Sequence, residues 1–177
     1  MTKTPKIIHQ VWIGEPAPDF ILEAMDTVKN LNRDFEYKLW DNETIKELEL
    51  EDILEKASKP AFAANIIRIR ALKKYGGLYI DADTECIWPL KEWFHSYQEY
   101  PLSSNFIQDQ FPDVGIIIAK PNIDYHMAEV DYDLQCPIGF YWQRLSPHLI
   151  PKSEVGRNGS VLKDLRLNSW VEKDKKD

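Results

Sequence analysis

The chain has 177 residues, 44% of them hydrophobic, and a formal net charge of −7. That length supports one domain with its own core, and the acidic balance disfavours nonspecific contact with duplex nucleic acid, which runs on Lys and Arg. Two widely spaced cysteines, Cys86 and Cys136, make no zinc site, and with no leader-like pattern and no membrane-length apolar run the expected location is cytoplasmic.

Lys6-Ile7-Ile8-His9-Gln10-Val11-Trp12-Ile13-Gly14 reads as a first strand, rich in β-branched and aromatic residues and stopped by glycine. His9 in it is expected to be structural, and Trp12 falls near its carboxyl end, where a ligand would lie. Asp19 is placed to cap a helix over residues 20–30, with Ile21, Leu22, Met25 and Val28 as its apolar face. Residues 35–40 alternate as a second strand. Asp41 or Asn42 then caps a helix running through Ile45 and Leu48 toward Ala57, with Glu47, Glu49, Glu51, Asp52 and Glu55 as a solvated face.

Pro60 suits the first turn of the next helix, for which Phe62, Ile66 and Ile69 form the expected stripe. Asn65 and Arg68 share a face at i, i+3, whereas Arg70 and Lys73 read as surface residues. Gly76 and Gly77 end that helix, because glycine takes the positive-φ position without a Cβ clash. Leu78, Tyr79 and Ile80 read as a short buried strand that delivers Asp81 and Asp83 to its carboxyl end. If the backbone stays extended, residues two apart point to one side. Ligands of open α/β sheets bind at such strand ends. Two hard oxygen donors there suit Mg²⁺ or Mn²⁺, and such an ion suits a diphosphate.

Residues 85–88 continue as a short strand, and residues 89–97 read as a helix with Leu90, Trp93 and Phe94 inward. Its aromatics, with Trp88 and Tyr97, are expected to pack in the core rather than serve as an acceptor platform. Residues 114–119 form a buried strand, and Pro121 opens a helix around residues 125–130. Turn signals follow at Cys136-Pro137, Ser146-Pro147 and Asn158-Gly159.

On these residues the chain resembles the DXD-containing sugar transferases of glycosyltransferase family 32, which include capsular-polysaccharide transferases and fungal initiating mannosyltransferases. The clostridial glucosylating toxins are more distant. The resemblance lies in the opening strand 6–14, in Phe35-Glu36-Tyr37-Lys38-Leu39-Trp40-Asp41, in the helix–Gly-Gly–DXD stretch 61–83, and in Ser169-Trp170. It is firm over residues 6–94. It implies a single GT-A domain, an α/β fold with a mostly parallel central sheet flanked by helices. Within it, 1–94 would be the nucleotide-sugar and metal core, 95–170 a reduced acceptor side and 171–177 a charged tail.

The resemblance also implies roles. Val11 and Trp12 would line the nucleotide site, Trp12 stacking on the base. Arg68 and Asn65 would face the donor sugar and diphosphate, and Tyr79 would line the nucleotide pocket. Asp81 would contact the donor and help hold the metal, and Asp83 would bind the metal directly. Asn168 and Ser169 would complete the metal shell, and Trp170 would cover the diphosphate. Asp81, Asp83, Arg68 and Trp170 would thus be the catalytic set. The activity implied is a metal-dependent, retaining transfer of a hexose, with Mn²⁺ or Mg²⁺, from a nucleoside-diphosphate sugar (a UDP-sugar favoured) to a hydroxyl of a glycan or protein. A nucleic-acid acceptor is disfavoured by charge without being ruled out.

Two departures bear on this. The family has Asp where this chain has Asn65, and histidines before the closing Ser-Trp where this chain has Asp164 and Asn168. An amide still accepts a hydrogen bond but carries no charge, so the competing expectation is a nucleotide-sugar-binding protein of the same fold with weakened turnover. Phosphatases of the haloacid-dehalogenase type also use a strand-end Asp-x-Asp, but they want Thr or Val where this chain has Glu85.

Overall fold

A computed structural model describes residues 3–57, 59–107, 111–123, 148–151, 153–156 and 159–165. In chain order the elements are β1 (Ile7–Val11), α1 (Asp19–Leu31), β2 (Glu36–Trp40), a 3-10 turn (Thr44–Leu48), α2 (Ile53–Lys56), α3 (Pro60–Tyr75), β3 (Gly77–Ile80), β4 (Thr84–Cys86), α4 (Lys91–Tyr97), β5 (Leu102–Ile107), β6 (Phe111–Ala119), β7 (His148–Leu149), β8 (Val155–Gly156) and β9 (Leu162–Asp164).

The β-prone run at the start becomes β1, a central strand paired in parallel with β2 on one side and β3 on the other. The main sheet has the order β2-β1-β3-β6-β5-β7. Only β6 runs against the other five strands, antiparallel to both β3 and β5. A second sheet, β4-β9-β8, shares a core with it through Cys86, Val155 and Leu162. Because successive strand residues face opposite sides, the main sheet carries a core on each face. Val11, Trp40, Tyr79 and Ile117 pack with Ala63, Ile67 and Leu72 of α3. Ile8, Leu78, Ile80 and Ile118 pack with Val28 of α1, with Phe94 of α4 and with Leu90, which caps α4. This is the expected α/β arrangement. The central sheet also takes β5 and β6 from beyond residue 94.

Several local expectations are corrected. Pro18, not Asp19, is the N-cap of α1, and it makes no side-chain cap bond. The inward face of α1 uses Ala24 rather than Leu22, which is 47% exposed. The single helix expected over residues 41–57 is broken: Glu49 takes a left-handed conformation (φ 59), leaving the 3-10 turn and the short α2. Asp41 does hold the turn's start, its Oδ1 accepting from the amides of Glu43 and Thr44. Burial alone would raise its carboxyl, but those amides outweigh it and hold the group below its ordinary range. The acidic face is exposed, as expected. The α3 stripe is Ala63, Ile67 and Ala71 with Arg68, Ile69 and Leu72 buried beside it, not Phe62 and Ile66, which stay half-buried. A helix buried on more than one side has no narrow stripe to read.

Gly76 (φ 65) and Gly77 (φ 113) make the joint between α3 and β3. Crowding requires them as much as dihedral angle does. A Cβ on Gly76 would sit 2.6 Å from Pro121 Cδ, and one on Gly77 would sit 2.5 Å from the Ile7 carbonyl oxygen. Strand β4 lies slightly earlier than expected, and Trp88 beyond it is 63% exposed while Phe94 and Tyr97 are buried. The expectation of core packing therefore holds for α4 and fails for Trp88. Pro121 and Asn122 sit in a turn. The helix expected at residues 125–130 and the turns at 136–137 and 146–147 lie outside the described residues, as does Asn158.

Candidate active site

The site is built where α3, β1 and β3 meet. Tyr79 points from β3 toward α3 and is fully buried, its side chain sharing the α3-side core. Its hydroxyl donates to Asp81 Oδ1 at 2.8 Å. Arg68 Nη1 lies 3.2 Å from the same oxygen, and the guanidinium carbon is 4.5 Å from the Tyr79 ring centroid. Burying a guanidinium is costly unless it is paired. Arg68, only 6% exposed, meets that demand with a carboxylate on one side and an aromatic face on the other. Burial holds the Tyr79 phenol well above its ordinary value. Arg68 opposes this, and the charges of Asp81 and Asp83 add to it. Tyr79 is therefore a hydrogen-bond donor at any working pH. Asp81 keeps 34% of its side-chain surface, so the cluster opens outward through this residue.

The backbone does not stay extended through the acid pair. The Asp81 carbonyl accepts from the Thr84 amide at 3.1 Å, closing a turn. Within this turn Ala82 is buried in a small cluster with Ile21 and Met25, against which Trp12 also packs. Strand alternation therefore does not govern where Asp81 and Asp83 point; both belong to the turn, and both are half-buried. The turn is fixed at its far end by Asp83, whose carbonyl accepts from the Leu165 amide at 3.0 Å. In the same ladder Thr84 pairs with Asp164. Strand β9 thus carries the chain to the acid turn three residues before Asn168.

The other expected residues fall as follows. Trp12 is half-buried beside Ala82, its Nε1 donating to the Glu15 carbonyl at 2.8 Å. Val11 faces the core at 5% exposure, so only its main chain is available to a ligand. Asn65 is half-buried on α3, one turn before Arg68. Asn168, Ser169 and Trp170 lie outside the described residues. The sequence reading missed Gln10, which is completely buried and reaches the Asp81 carbonyl at 3.4 Å. Its one visible signal was an amide beside His9 in a strand otherwise made of Ile and Val.

His9 is structural, as expected. It is fully buried, its Nδ1 accepts from Trp40 Nε1 at 3.1 Å, and its Nε2 donates to the Gly76 carbonyl at 2.8 Å. Burial lowers its pKa to about 4, so it stays neutral. A cavity of about 240 Å³ lined by Lys6, Lys91, Glu92, Phe94, His95 and Gln98 opens at the amino end of β1, away from the acid pair.

A helix-flanked sheet with one antiparallel strand, and an acid pair at the carboxyl end of a central strand, defines the GT-A class of glycosyltransferase fold. The solved structure of PaToxG Glycosyltransferase shares it, with a TM-score of 0.52 and 16% identity over 68% of this chain and 56% of that one. Residues 18–100 match the model of the glycosyltransferase sugar-binding region containing a DXD motif, and over this region the chain is similar to that family. Inositol phosphoceramide mannosyltransferase 3 of Schizosaccharomyces pombe is 34% identical over 97 residues, 51% of this chain and 27% of that protein. Mannosyl phosphorylinositol ceramide synthase SUR1 of Saccharomyces cerevisiae is 36% identical over 88 residues, 46% of this chain and 23% of that protein. An uncharacterized glycosyltransferase, L373, of Acanthamoeba polyphaga mimivirus is 28% identical over 133 residues, 67% of this chain and 51% of that protein. The chain thus spans about a quarter of the length of the two yeast relatives and about half of the viral one. Among the described residues no helix is long and apolar enough to cross a membrane.

Proposed function

We propose that this chain carries the donor site of a metal-dependent, retaining hexosyltransferase that uses a nucleoside-diphosphate sugar. The observation that supports it most is the cluster of Arg68, Tyr79 and Asp81 on one carboxylate oxygen at the carboxyl end of β3, followed two residues later by Asp83. An arginine held under an acid pair puts one fixed positive charge beside a group able to take a cation. A departing diphosphate needs both.

The donor set fits a hard cation. Asp81 and Asp83 offer carboxylate oxygens in one turn, and the described residues hold no third His, Cys, Asp or Glu that would complete a protein-only cage. Mg²⁺ and Mn²⁺ are bound in that way, by one or two carboxylates with phosphate oxygens and water. Asp83 would be the direct ligand. Asp81, whose Oδ1 is shared by Arg68 and Tyr79, would orient the donor and help hold the ion, with Asn168 and Ser169 completing the shell. The bound ion would supply positive charge to the diphosphate as it leaves. Arg68 stabilises the same charge from the protein side. Trp12 offers a face for the base, Asn65 an amide for a sugar hydroxyl, and Trp170 a cover for the diphosphate. The acceptor oxygen bonds to the anomeric carbon as the bond to the β-phosphate oxygen breaks, and the acceptor proton passes to the departing phosphate. No protein base is required.

The names of the yeast relatives favour a hexosyl, and among hexoses a mannosyl, donor. The test panel therefore sets UDP-hexoses against GDP-mannose, with glycan, protein and glycolipid acceptors. Metal-dependent release of the nucleotide diphosphate from one donor supports transfer chemistry. Tight metal-dependent binding with no release supports the second reading, a sugar-nucleotide-binding protein with weakened turnover, which the neutral Asn65 favours.

A further inference from the structure

The first strand spends a position that should be apolar. Gln10 lies between His9 and Val11, is completely buried, and sits on the same face of β1 as Ile8, toward α1. A β-branched residue would serve that position better as packing, and an amide buried without partners is costly. Both ends of the Gln10 amide are used. Its Oε1 accepts from the Tyr37 hydroxyl at 2.7 Å, and its Nε2 donates to the Asp81 carbonyl at 3.4 Å. That carbonyl is also the one that closes the turn onto the Thr84 amide. The Asp81 carbonyl settles which way the amide points, because it can only accept and so takes the NH₂ group. The amide oxygen is then left to Tyr37, whose hydroxyl burial, with the charge of Asp26, keeps protonated and able to donate.

We propose that Gln10, anchored by Tyr37, is a positioning residue for the acid pair: it holds the Asp81 main chain from the α1 face while Arg68 and Tyr79 hold its carboxylate from the α3 face. The Asp81–Thr84 turn, and with it the direction in which Asp83 leaves the strand, is fixed from both sides of the sheet. At 3.4 Å the amide bond is long, so its effect is on position more than on global stability. The inference rests on the donor-site reading for its consequence in binding, but not for the geometry itself.

The experiment has one arm without ligand and one with it, on wild type, Gln10→Met and Tyr37→Phe. Without ligand, hydrogen exchange of the Thr84 amide is expected to speed up about tenfold in Gln10→Met, while the Gly76 amide, bonded to Leu72 in α3, is unchanged. With ligand, Mn²⁺-dependent binding of UDP and GDP is measured by calorimetry. Gln10→Met is expected to lose about tenfold or more in the metal-dependent affinity and Tyr37→Phe less. In an Asp83→Ala background Gln10→Met should cost nothing further. Equal Thr84 protection in wild type and both variants overturns the proposal, as does a loss of the same size with and without metal. Should wild type bind neither nucleotide with Mn²⁺, the donor-site reading fails while the exchange arm still decides the positioning role. Should Gln10→Met not fold, Tyr37→Phe carries both arms.

Discussion

Strand β3 has a polar cluster at each end, and the two are built differently. At the Gly76 end, His9 is sealed: both ring nitrogens have buried partners, the ring stacks near Trp40, and nothing in the arrangement reaches outward. At the Asp81 end, Arg68 and Tyr79 are equally buried, but the carboxylate they converge on keeps a third of its surface. A closed polar network specifies a fold; an open one leaves a charged group within reach of solvent. One end of β3 thus abuts a structural histidine from β1 and the other leads into a candidate catalytic aspartate just past Ile80, and the backbone joints at the two ends set which is which.

The largest effect should come from the joint at the closed end. Gly77→Ala forces a Cβ to 2.5 Å from the Ile7 carbonyl oxygen at φ 113. It should cost about 4 kcal/mol or more, seen as loss of the cooperative unfolding transition. The histidine gives the next effect, and it depends on pH. Its folded pKa of about 4 lies below the unfolded value of 6.5, so the unfolded chain takes up the proton first. The stabilisation is complete above pH 6.5 and is lost as pH falls toward 4. Between pH 7 and pH 5 wild type should lose about 2 kcal/mol more than His9→Gln, which cannot titrate, measured by denaturant unfolding at each pH.

At the open end the balance reverses. Arg68→Met should cost about 2 kcal/mol of stability, below the usual toll for a buried pair because Asp81 remains partly solvated. Donor binding should disappear while the protein stays folded. The smallest effect should come from Trp88→Ser. That side chain is 63% exposed, stability should change by no more than about 0.5 kcal/mol, and donor binding should not change at all. A loss of transfer to the acceptor there, with donor binding intact, would restore the acceptor-platform reading of the aromatic segment.

The half of the fold around these two clusters was legible because its residues obey local rules. β1, β2 and β3 are β-branched and aromatic runs, and the glycine pair marks the end of α3. What escaped was set by tertiary contact. The break at Glu49 has no glycine or proline to announce it. Strand β5 carries buried Ser103 and Ser104 where a strand reader wants apolar residues. The α3 stripe was misplaced because the helix is covered on several sides. In the site, Arg68, Tyr79, Asp81 and Asp83 were named one by one through a motif. The convergence of Arg68 and Tyr79 on one oxygen of Asp81, the burial of Ala82 against α1, the tie from Leu165 and the part played by Gln10 depend on contacts between residues far apart in the chain. No spacing encodes them.

The most direct test is calorimetric titration of the sugar-nucleotide panel into wild type and Asp83→Ala, each with Mn²⁺ and with chelator, alongside thermal unfolding. The account predicts that one donor binds wild type only with metal, that Asp83→Ala weakens it about a hundredfold or more, and that the variant unfolds within a few degrees of wild type. Binding that survives both chelation and Asp83→Ala would contradict it, because the acid turn would then not be where the donor's diphosphate is held.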